Sequence, residues 1–435
     1  MPTRGHDGRC GDWGVVAHAA EPPSRENGGK GRSGALARGA RLDLNRKAQP
    51  LQLGPHHPAV RGALGLEVDL DGERILALRV GVGYGHRGFE AQAQKRSWHQ
   101  IVPFVERLQS NSSMLAASAY CLAAEKLLGV EAPLRASWLR VLGGELGRAA
   151  DHLGRIAALA RIVGADAPGS WALEARAHLW GLLEMLSGAP TMHHYIRLGG
   201  VSAPLPDGFG PRSRRVSQGV RRDLDELDSF LGENRIFVDR LRGRGGLSAE
   251  QCLAFSVTGP LLRAAGVASD LRRSEPYLVY DELVFDLPVG LVGDNLDRYR
   301  VCVEEIRQSL SMVGQCVTRL EALGPGEFRL RDPWLDRDEV RDGCGSLEER
   351  VELASGYARG PLIPEGEASA RVESANGEFG FFLVANGGST PERVRCRAPS
   401  FFHAQALSAM LVGQKLSDIG PTLALANIES AECDR

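Results

Sequence analysis

Two adjacent histidines and an arginine lie in a short segment rich in glycine and proline, "LGPHHPAVRG", which runs from Leu53 to Gly62. Histidine can bind metals and transfers protons near neutral pH. On an extended strand, however, His56 and His57 would face opposite sides, and a zinc site needs three or four ligands. No carboxylate or thiol is close in sequence, so the segment favours a polar turn over a metal site.

A second histidine pair and a second glycine-rich segment give equally little direct evidence of catalysis. His193 and His194 stand in "TMHHYIRLGG", where polar residues near the end of a helix precede a glycine turn. The segment "VGVGYGHRG" lacks the spacing of a dinucleotide-binding loop, and neither a phosphate-binding GxxxxGK[ST] loop nor a GxSxG elbow occurs. Binding of NAD or ATP by this chain is therefore not supported.

The overall composition excludes several classes of protein. With 435 residues, 43% of them apolar, and a net charge of −2, the chain can form a large core but has no positive field for nucleic acids. The eight cysteines form no CxxC pair, which predicts buried, reduced thiols of a cytoplasmic protein. No apolar run reaches the roughly 18 residues of a membrane span, and no secretory segment begins the chain. Any link to a membrane should run through a partner.

These polar turns must be positioned by a mixture of strands and long helices. We expect a disordered tail over residues 1–48, a small β-sheet over 49–84 that carries the first loop, a helical bundle over 85–325 and a mixed segment over 326–435. The fold class is thus α+β. "QPLQL" and "LGLEVDLDGERILALRV" predict strands, the latter with a hairpin turn at Asp71-Gly72.

Within the predicted bundle, several local signals mark helices and their contacts. Gly143, Gly144 and Gly147 within one long helix predict a close approach of a second helix, because each costs helical stability. A further helix should begin at Ser170, and Ser248 with Gln251 has the spacing of a capping box. Three β-like pieces follow near the end of the chain, in "EASARVES", "GEFGFFLVANGG" and "RVRCRAPSFFHAQAL".

The order of these segments resembles a known family. "GPHHPAVRG", "GYGHRGFE", "AYCLAAEKLLG", "MHHYIRLGGV", "TGPLLRAAGVASDLRRSEPY", "FDLPVG", "GEFGFFLVANGG", "RAPSFFHAQAL" and the final "CDR" occur in the order seen in the 49 kDa (D-type) subunit of the proton-pumping NADH–quinone oxidoreductase, complex I. The resemblance extends from about residue 50 to 435. It implies a fold like that of the nickel–iron hydrogenase large subunit.

The resemblance also implies where a quinone headgroup would bind. Arg61 replaces a histidine of the family loop, Ser110 replaces a tyrosine and Ile162 replaces an aspartate. Arginine can donate hydrogen bonds but does not release its proton near pH 7, so the altered set implies a different acceptor or lost catalysis. The predicted quinone-chamber residues are Gly54, Pro55, His57, Pro58, Arg61, Gly62, Ser110 and Ile162.

Other positions are implied to face the terminal iron–sulfur cluster of a partner subunit. His86 and Arg87 match an H-R-G segment, Arg107 matches an arginine of the family, and His193 lies one position after the residue that aligns with a cluster-linked histidine, Met192. A hydrogenase function is disfavoured, because a nickel–iron centre needs two CxxC pairs and Cys433 stands alone.

The implied function is that of a peripheral subunit of NADH–quinone oxidoreductase, a translocase, on the cytoplasmic side of the cell membrane. It would contribute to electron transfer from NADH to quinone while binding no cofactor or metal itself. The iron–sulfur clusters and FMN would belong to partners, which would include the terminal-cluster subunit, a C-type subunit and the membrane quinone-channel subunit. The alternative is a redox-inert structural paralogue that docks these partners without quinone chemistry.

Overall fold

The computed structural model describes residues 48–331, 335 and 346–435, so nearly all of the tail predicted over residues 1–48 lies outside the described residues. The chain begins with an antiparallel sheet in the order β1-β2-β3. These strands are β1 (Gln49–Leu53), β2 (Gly65–Asp71) and β3 (Arg74–Gly81). Leu66 and Val68 point into the core, and Gly72 adopts a φ of 62° in the tight turn, which confirms the predicted hairpin.

Helices make up most of the chain that follows, and a second three-stranded antiparallel sheet comes near its end. The helices are α1 (Phe89–Ala93), α2 (Trp98–Glu106), α3 (Ser113–Leu128), α4 (Leu134–Ile162), α5 (Asp166–Ser187), α6 (Phe209–Gly232), α7 (Arg235–Leu241), α8 (Ala249–Ala254), α9 (Pro260–Ala264), α10 (Leu271–Ser274), α11 (Asn295–Leu323), α12 (Leu347–Arg359), α13 (Pro399–Leu411), α14 (Ile419–Ala426) and α15 (Ser430–Cys433). The remaining strands are β4 (Ile196–Arg197), β5 (Gly200–Val201), β6 (Gly366–Glu373), β7 (Glu378–Ala385) and β8 (Arg393–Arg397). The predicted α+β class is confirmed.

Helix α4 forms the axis of the bundle and is packed against α3, α5, α11 and α14. Its glycines face α3: a side chain at Gly143 would collide with Met114, and one at Gly144 would come within 2.7 Å of Leu115. This confirms the close helix approach predicted from the glycines. The cost of glycine within a helix is offset by the packing that its missing side chain permits.

Two boundaries differ from those that the sequence predicts. Helix α5 begins at Asp166 rather than Ser170, whose hydroxyl donates to the Asp166 carbonyl over 3.1 Å. Asp166 lies in the first turn, where the helix dipole favours an acid, and proline is tolerated there, so the helix starts one turn earlier. The last β-like piece forms strand β8 and then helix α13, because Pro399 in its first turn presets a helical φ.

The C-terminal segment returns the chain to the N-terminal sheet. Strands β6 and β7 pack on α3, where Tyr120 meets Phe381 edge to face at 5.6 Å. Helix α13 then contacts β3 as well as α15, close to the end of the chain. The loops of the first sheet and the last residues of the chain therefore meet beside helix α4.

Six cysteines lie in the described residues, and all six are buried and outside disulfides, as predicted. Cys10 and Cys344 lie outside them. Among the described helices, none combines the length and the apolar composition that crossing a bilayer requires. The predicted capping box at the start of α8 is confirmed, with Gln251 N donating to Ser248 Oγ over 3.2 Å.

Helix α4 carries a row of buried ionisable side chains, and their partners come from separate segments. Glu145 accepts from Tyr280 over 2.7 Å and from Ser309 over 2.7 Å, and it lies 3.3 Å from Arg272. Burial opposes ionisation of Glu145, but Arg148 and Arg272 with these hydroxyls hold its pKa below the usual value. The row comprises Arg140, Glu145, Arg148, Asp151, His152 and Arg155.

The Glu145 cluster generates a prediction about stability. Replacing Glu145 by glutamine should lower the free energy of unfolding by about 3–5 kcal/mol, because it leaves Arg148 buried without its carboxylate, while Arg272 keeps only Asp270. Denaturant titration followed by circular dichroism measures the loss. Glu321→Gln is the matched control, since its pair with Arg214 is exposed and screened by solvent. Equal losses in both variants would contradict the prediction.

Candidate functional site

The loop at residues 54–62 is shaped by its own backbone and by the end of the chain. Gly54 and Gly62 adopt φ values of 100° and 97°, a region that favours glycine. A side chain at Gly62 would collide with Ser430 Oγ, so the C-terminal segment lies directly against this loop. His57 turns back on the loop, where its Nδ1 accepts from Ala59 N over 3.1 Å. Arg61, at the other end of the loop, extends towards α4.

Arg61 forms an ion pair with Asp151 at the middle of α4. Its Nη1 lies 2.5 Å from Asp151 Oδ1, and its Nη2 donates to the Asp151 carbonyl over 3.3 Å. The Asp151 side chain is fully buried, whereas 22% of the Arg61 side chain is exposed. Burial alone would raise the pKa of Asp151, but Arg61 and then Arg155 outweigh it and lower that pKa to about 2. Asp151 is therefore ionised at neutral pH.

A second guanidinium group lies beside this pair. Arg176 on α5 and Arg61 both lie over Gly154, where a side chain would come within 3.2 Å of one and 3.3 Å of the other. Arg176 donates to Asn111 Oδ1 over 2.5 Å and stacks on Trp180 at 4.0 Å. Burial and the nearby Arg61 lower the pKa of Arg176 to about 10. Two cations and one carboxylate give this corner a positive charge.

Ser110 lies on the other side of the loop and contacts a buried acid of the C-terminal segment. Its backbone N donates to Glu429 Oε1 over 2.8 Å, and its hydroxyl donates to the same atom over 2.5 Å. Residues 61 and 429 are also paired through their backbones, since Arg61 N donates to the Ile428 carbonyl over 3.2 Å and Ser430 N to the Arg61 carbonyl over 2.9 Å. Ser110 and Arg61 thus border one partly open site.

Ile162 is not brought to this site. It lies in the last turn of α4, where a side chain at Gly420 would come within 2.6 Å of it. Eleven residues separate it from Asp151, which at about 1.5 Å per residue places it about 16 Å further along the helix. The structure therefore groups Arg61, Gly62 and Ser110, with Gly54, Pro55, His57 and Pro58 shaping the loop. The assignment of these residues to a quinone chamber stays a prediction.

The residues predicted to face a cluster are in two places. His86 is exposed, and its Nδ1 lies 2.9 Å from the carbonyl of Asp434. The Asp434 carboxylate accepts from Gly83 N over 2.6 Å and from Gly85 N over 2.7 Å, so the end of the chain holds this loop. Arg87 is exposed beside it. This arrangement leaves both side chains at a surface.

Arg107 and the second histidine pair form the other place. His193 is buried, and its Nδ1 bonds the Ala189 carbonyl over 2.9 Å. His194 faces outwards instead, with its Nδ1 2.8 Å from Glu106 Oε2. Burial raises the pKa of Glu106 to about 7, against the opposing effects of the His194 backbone N–H and Arg107. His194 thus shares a surface with the exposed Arg107, and the predicted role of His193 stays untested.

Five residues that contact the predicted site residues were not assigned to a site from the sequence. They are Asp151, Arg176, Glu429, Glu106 and His194. Asp151 and Glu429 each interrupt an otherwise apolar segment, in "AADHLG" and "ANIES", and such an interruption is the signal that could have found them. Their partners are distant in the chain and follow no local pattern. Among the described residues, no group of three or more histidine, cysteine or acidic side chains is arranged to hold a metal ion.

Comparison with known proteins defines the class to which this fold and site belong. The family model of the respiratory-chain NADH dehydrogenase 49 kDa subunit matches residues 163–435. The chain belongs to this family. The NADH-quinone oxidoreductase D 2 subunit of Anaeromyxobacter sp. (strain Fw109-5) is 38% identical over 419 residues, which cover 96% of this chain and 95% of the relative.

Two further relatives also match most of the chain. The NADH-quinone oxidoreductase D subunit from Wolbachia sp. subsp. Brugia malayi (strain TRS) is 40% identical over 389 residues, 89% of this chain and 99% of the relative. The corresponding D 1 subunit of Sorangium cellulosum (strain So ce56) is 38% identical over 395 residues, 91% of this chain and 97% of the relative. The family model begins after Asp151, whereas these matches extend over most of the chain.

The low pKa of Asp151 predicts how stability depends on pH. The carboxylate contributes about 2 kcal/mol above its ordinary pKa of 3.8, and this contribution is lost as the pH falls through the folded value of about 2. At pH 7 the free energy of unfolding of Asp151→Asn should therefore be lower than that of the wild type by about 2 kcal/mol or more. This difference should become smaller between pH 4 and 2. Unfolding curves across this range measure it.

Asp225→Asn provides the control for this measurement. Asp225 is on the surface of α6 with 65% of its side chain exposed, so its replacement removes the same charge without leaving a buried partner. We expect a small difference in free energy of unfolding between Asp225→Asn and the wild type, and we expect it to change little with pH. A gap for Asp151→Asn that stays constant down to pH 2 would contradict the assignment of the ion pair.

Proposed function

We propose that this chain forms the quinone headgroup chamber of an NADH–quinone oxidoreductase and takes part in electron transfer from NADH to quinone. The relatives are named subunits of that enzyme. The observation that carries the proposal is the convergence of the loop at 54–62, Ser110 and the C-terminal segment on the partly open Arg61–Asp151 pair. Charged groups brought together from distant segments often mark a binding or catalytic site, so their convergence here supports a site for a polar ligand.

The positive charge of this corner suits a quinone that accepts electrons. Asp151 holds the guanidinium of Arg61 in place, and Arg176 adds a second cation next to it. A guanidinium can donate hydrogen bonds to a carbonyl oxygen and stabilise the negative charge that develops there during reduction. Arg61 would therefore bind and orient the headgroup, but it would not supply the proton.

The partners and location follow as parts of the same proposal. The protein would be peripheral, on the cytoplasmic side of the cell membrane, beside a membrane quinone-channel subunit and a C-type subunit. The surface at His86 and Arg87 and the surface at Arg107 and His194 would both lie against the subunit with the terminal iron–sulfur cluster. FMN and the clusters would remain on partner subunits, and quinone reduction would serve proton translocation.

A redox-inert structural role is the second candidate. Two observations favour it: the side chain at 61 is an arginine whose hydrogen bonds are directed at Asp151, and Ile162 lies about 16 Å further along the helix. In that case the Arg61–Asp151 ion pair would serve only to hold the loop at residues 54–62 against α4. Both candidates share the same docking surfaces, so only a measurement of turnover separates them.

Turnover in an assembled complex is the direct test. We expect a complex that carries this chain in place of its own 49 kDa subunit to show inhibitor-sensitive NADH:quinone activity. In such a complex, Arg61→Met combined with Asp151→Asn should lower the activity by about a hundredfold, because the cation at the carbonyl is lost. The double change avoids leaving one buried charge without its partner.

The control is an equivalent double change at the surface, Arg221→Met with Asp225→Asn on α6. It also removes one positive and one negative charge, but on the surface, so activity and assembly should stay close to wild type. Normal assembly without inhibitor-sensitive activity in the unmodified chain would contradict the proposed function and support the structural alternative.

A further inference from the structure

Glu429 is a buried acid beside the site, whereas the ion pair of Arg61 is with Asp151. Its side chain is buried, with the whole residue 3% exposed, and it reaches the site only through Ser110, whose hydroxyl lies 2.5 Å from Glu429 Oε1. The second carboxyl oxygen, Oε2, has no hydrogen-bond partner among the described residues. An ionised carboxylate in that position would be costly, whereas a protonated one is tolerated.

We propose that Glu429 and the Ser110 hydroxyl form the proton relay that delivers a proton to the bound quinone. The inference rests on the proposed function. It identifies Glu429 as the proton donor, a role that Arg61 cannot have because arginine does not release its proton near pH 7. Ser110 is half-buried and borders the same opening as Arg61 and Asn111, so its hydroxyl can face a carbonyl oxygen on one side and Glu429 on the other.

The electrostatic surroundings support a donor that works near neutral pH. Burial raises the pKa of Glu429 to about 7, Arg61 opposes this rise and Glu432 adds to it. The other groups that face it are neutral: Ser110 from the loop before α3 and Ser400 from α13, whose Oγ accepts from Glu429 N over 3.2 Å. Asp151 on α4 lies behind Arg61. A donor is most effective when its pKa is close to the working pH.

The transfer balances as one of the two proton additions in quinone reduction. Two electrons come from an iron–sulfur centre of a neighbouring subunit, and the reduced carbonyl oxygen takes the hydroxyl proton of Ser110. For this transfer Glu429 is protonated at Oε1 and donates to Ser110 Oγ, which turns the Ser110 hydroxyl proton towards the carbonyl oxygen. As that O–H bond breaks, Ser110 Oγ takes the proton from Glu429 Oε1, and Glu429 becomes a carboxylate. Water supplies the second proton at the opposite carbonyl. Glu429 regains its proton from water through the same hydroxyl after the quinol leaves.

The charges of the corner fit this cycle. Arg61 and Arg176 with ionised Asp151 leave one positive charge beside the headgroup. While Glu429 is protonated, that charge attracts the reduced quinone. After the transfer, the charge stabilises the Glu429 carboxylate, since Arg61 lowers the pKa of this acid. Neither state therefore places an isolated charge in the core.

The test is the pH profile of inhibitor-sensitive quinone reduction in the assembled complex. With the unmodified chain, turnover should fall as the pH rises above about 7, as Glu429 loses its proton. Glu429→Gln keeps the acceptor for Ser110 but has no proton to give, so kcat should fall by about a hundredfold with little change in KM, and this alkaline limb should vanish.

Three further variants separate the relay from a structural role. Ser110→Ala should lower kcat in the same way, whereas Ser110→Thr keeps the hydroxyl and should retain activity. Glu432→Gln removes a negative charge next to Glu429, so the alkaline limb should move to lower pH. Glu321→Gln, an exposed control on α11, should leave kcat and the profile unchanged. An active complex whose Glu429→Gln profile matches the wild type would overturn the relay alone.

Infrared spectroscopy of the full chain provides a readout that needs no turnover. The carbonyl stretch of a protonated carboxyl group should disappear as the pH rises through about 7, and part of that signal should be missing in Glu429→Gln. Glu106→Gln removes another carboxyl with a pKa of about 7, so comparison of the two variants separates the signal of Glu429 from that of Glu106. If Glu429 shows no such titration, the relay is overturned. An inactive complex with a titrating Glu429 overturns the proposed function and, with it, the relay.

Discussion

The structure depends on one constraint: each ionisable side chain buried along helix α4 needs a partner from another part of the chain. Arg140 pairs with Glu125 of α3, Glu145 with Arg272 of α10, and His152 with Glu305 of α11, the last at 2.8 Å. Leaving any one of them unpaired would cost several kcal/mol. The long helix is thus fixed to its neighbours by directional contacts as well as by apolar packing. These contacts specify which segments meet.

The candidate site continues the same row. Asp151 lies between Arg148 and His152, and its partner Arg61 comes from the loop between the first two strands. The end of the chain closes the arrangement, because Ser430 fixes the loop and Glu429 holds Ser110. A cationic corner with a buried acid beside it is the result. Under the proposed function, the cationic corner would bind an electron-accepting carbonyl compound and the buried acid would supply it with a proton.

Local patterns predicted much of the fold because their causes are local. The hairpin turn needed only Asp71-Gly72 between alternating strands, and the capping box of α8 needed only Ser248 and Gln251. The start of α5 was wrong by one turn, since a serine is only one of several residues that can begin a helix. The helix at 399–411 was missed because the strand pattern of residues 393–397 was extended past Pro399, the residue at which the helix begins.

By itself, the sequence determined the α+β class and the resemblance to one family, and it led to the prediction that family residues are replaced at positions 61, 110 and 162. Only the tertiary structure decided which residues act together: Arg61 meets Asp151 from 90 positions along the chain, Ser110 meets Glu429 from 319 positions away, and Ile162 joins neither. The physical reason is that charge pairing over such separations depends on how helices and loops pack. Packing is a property of the whole chain, so no local pattern encodes it.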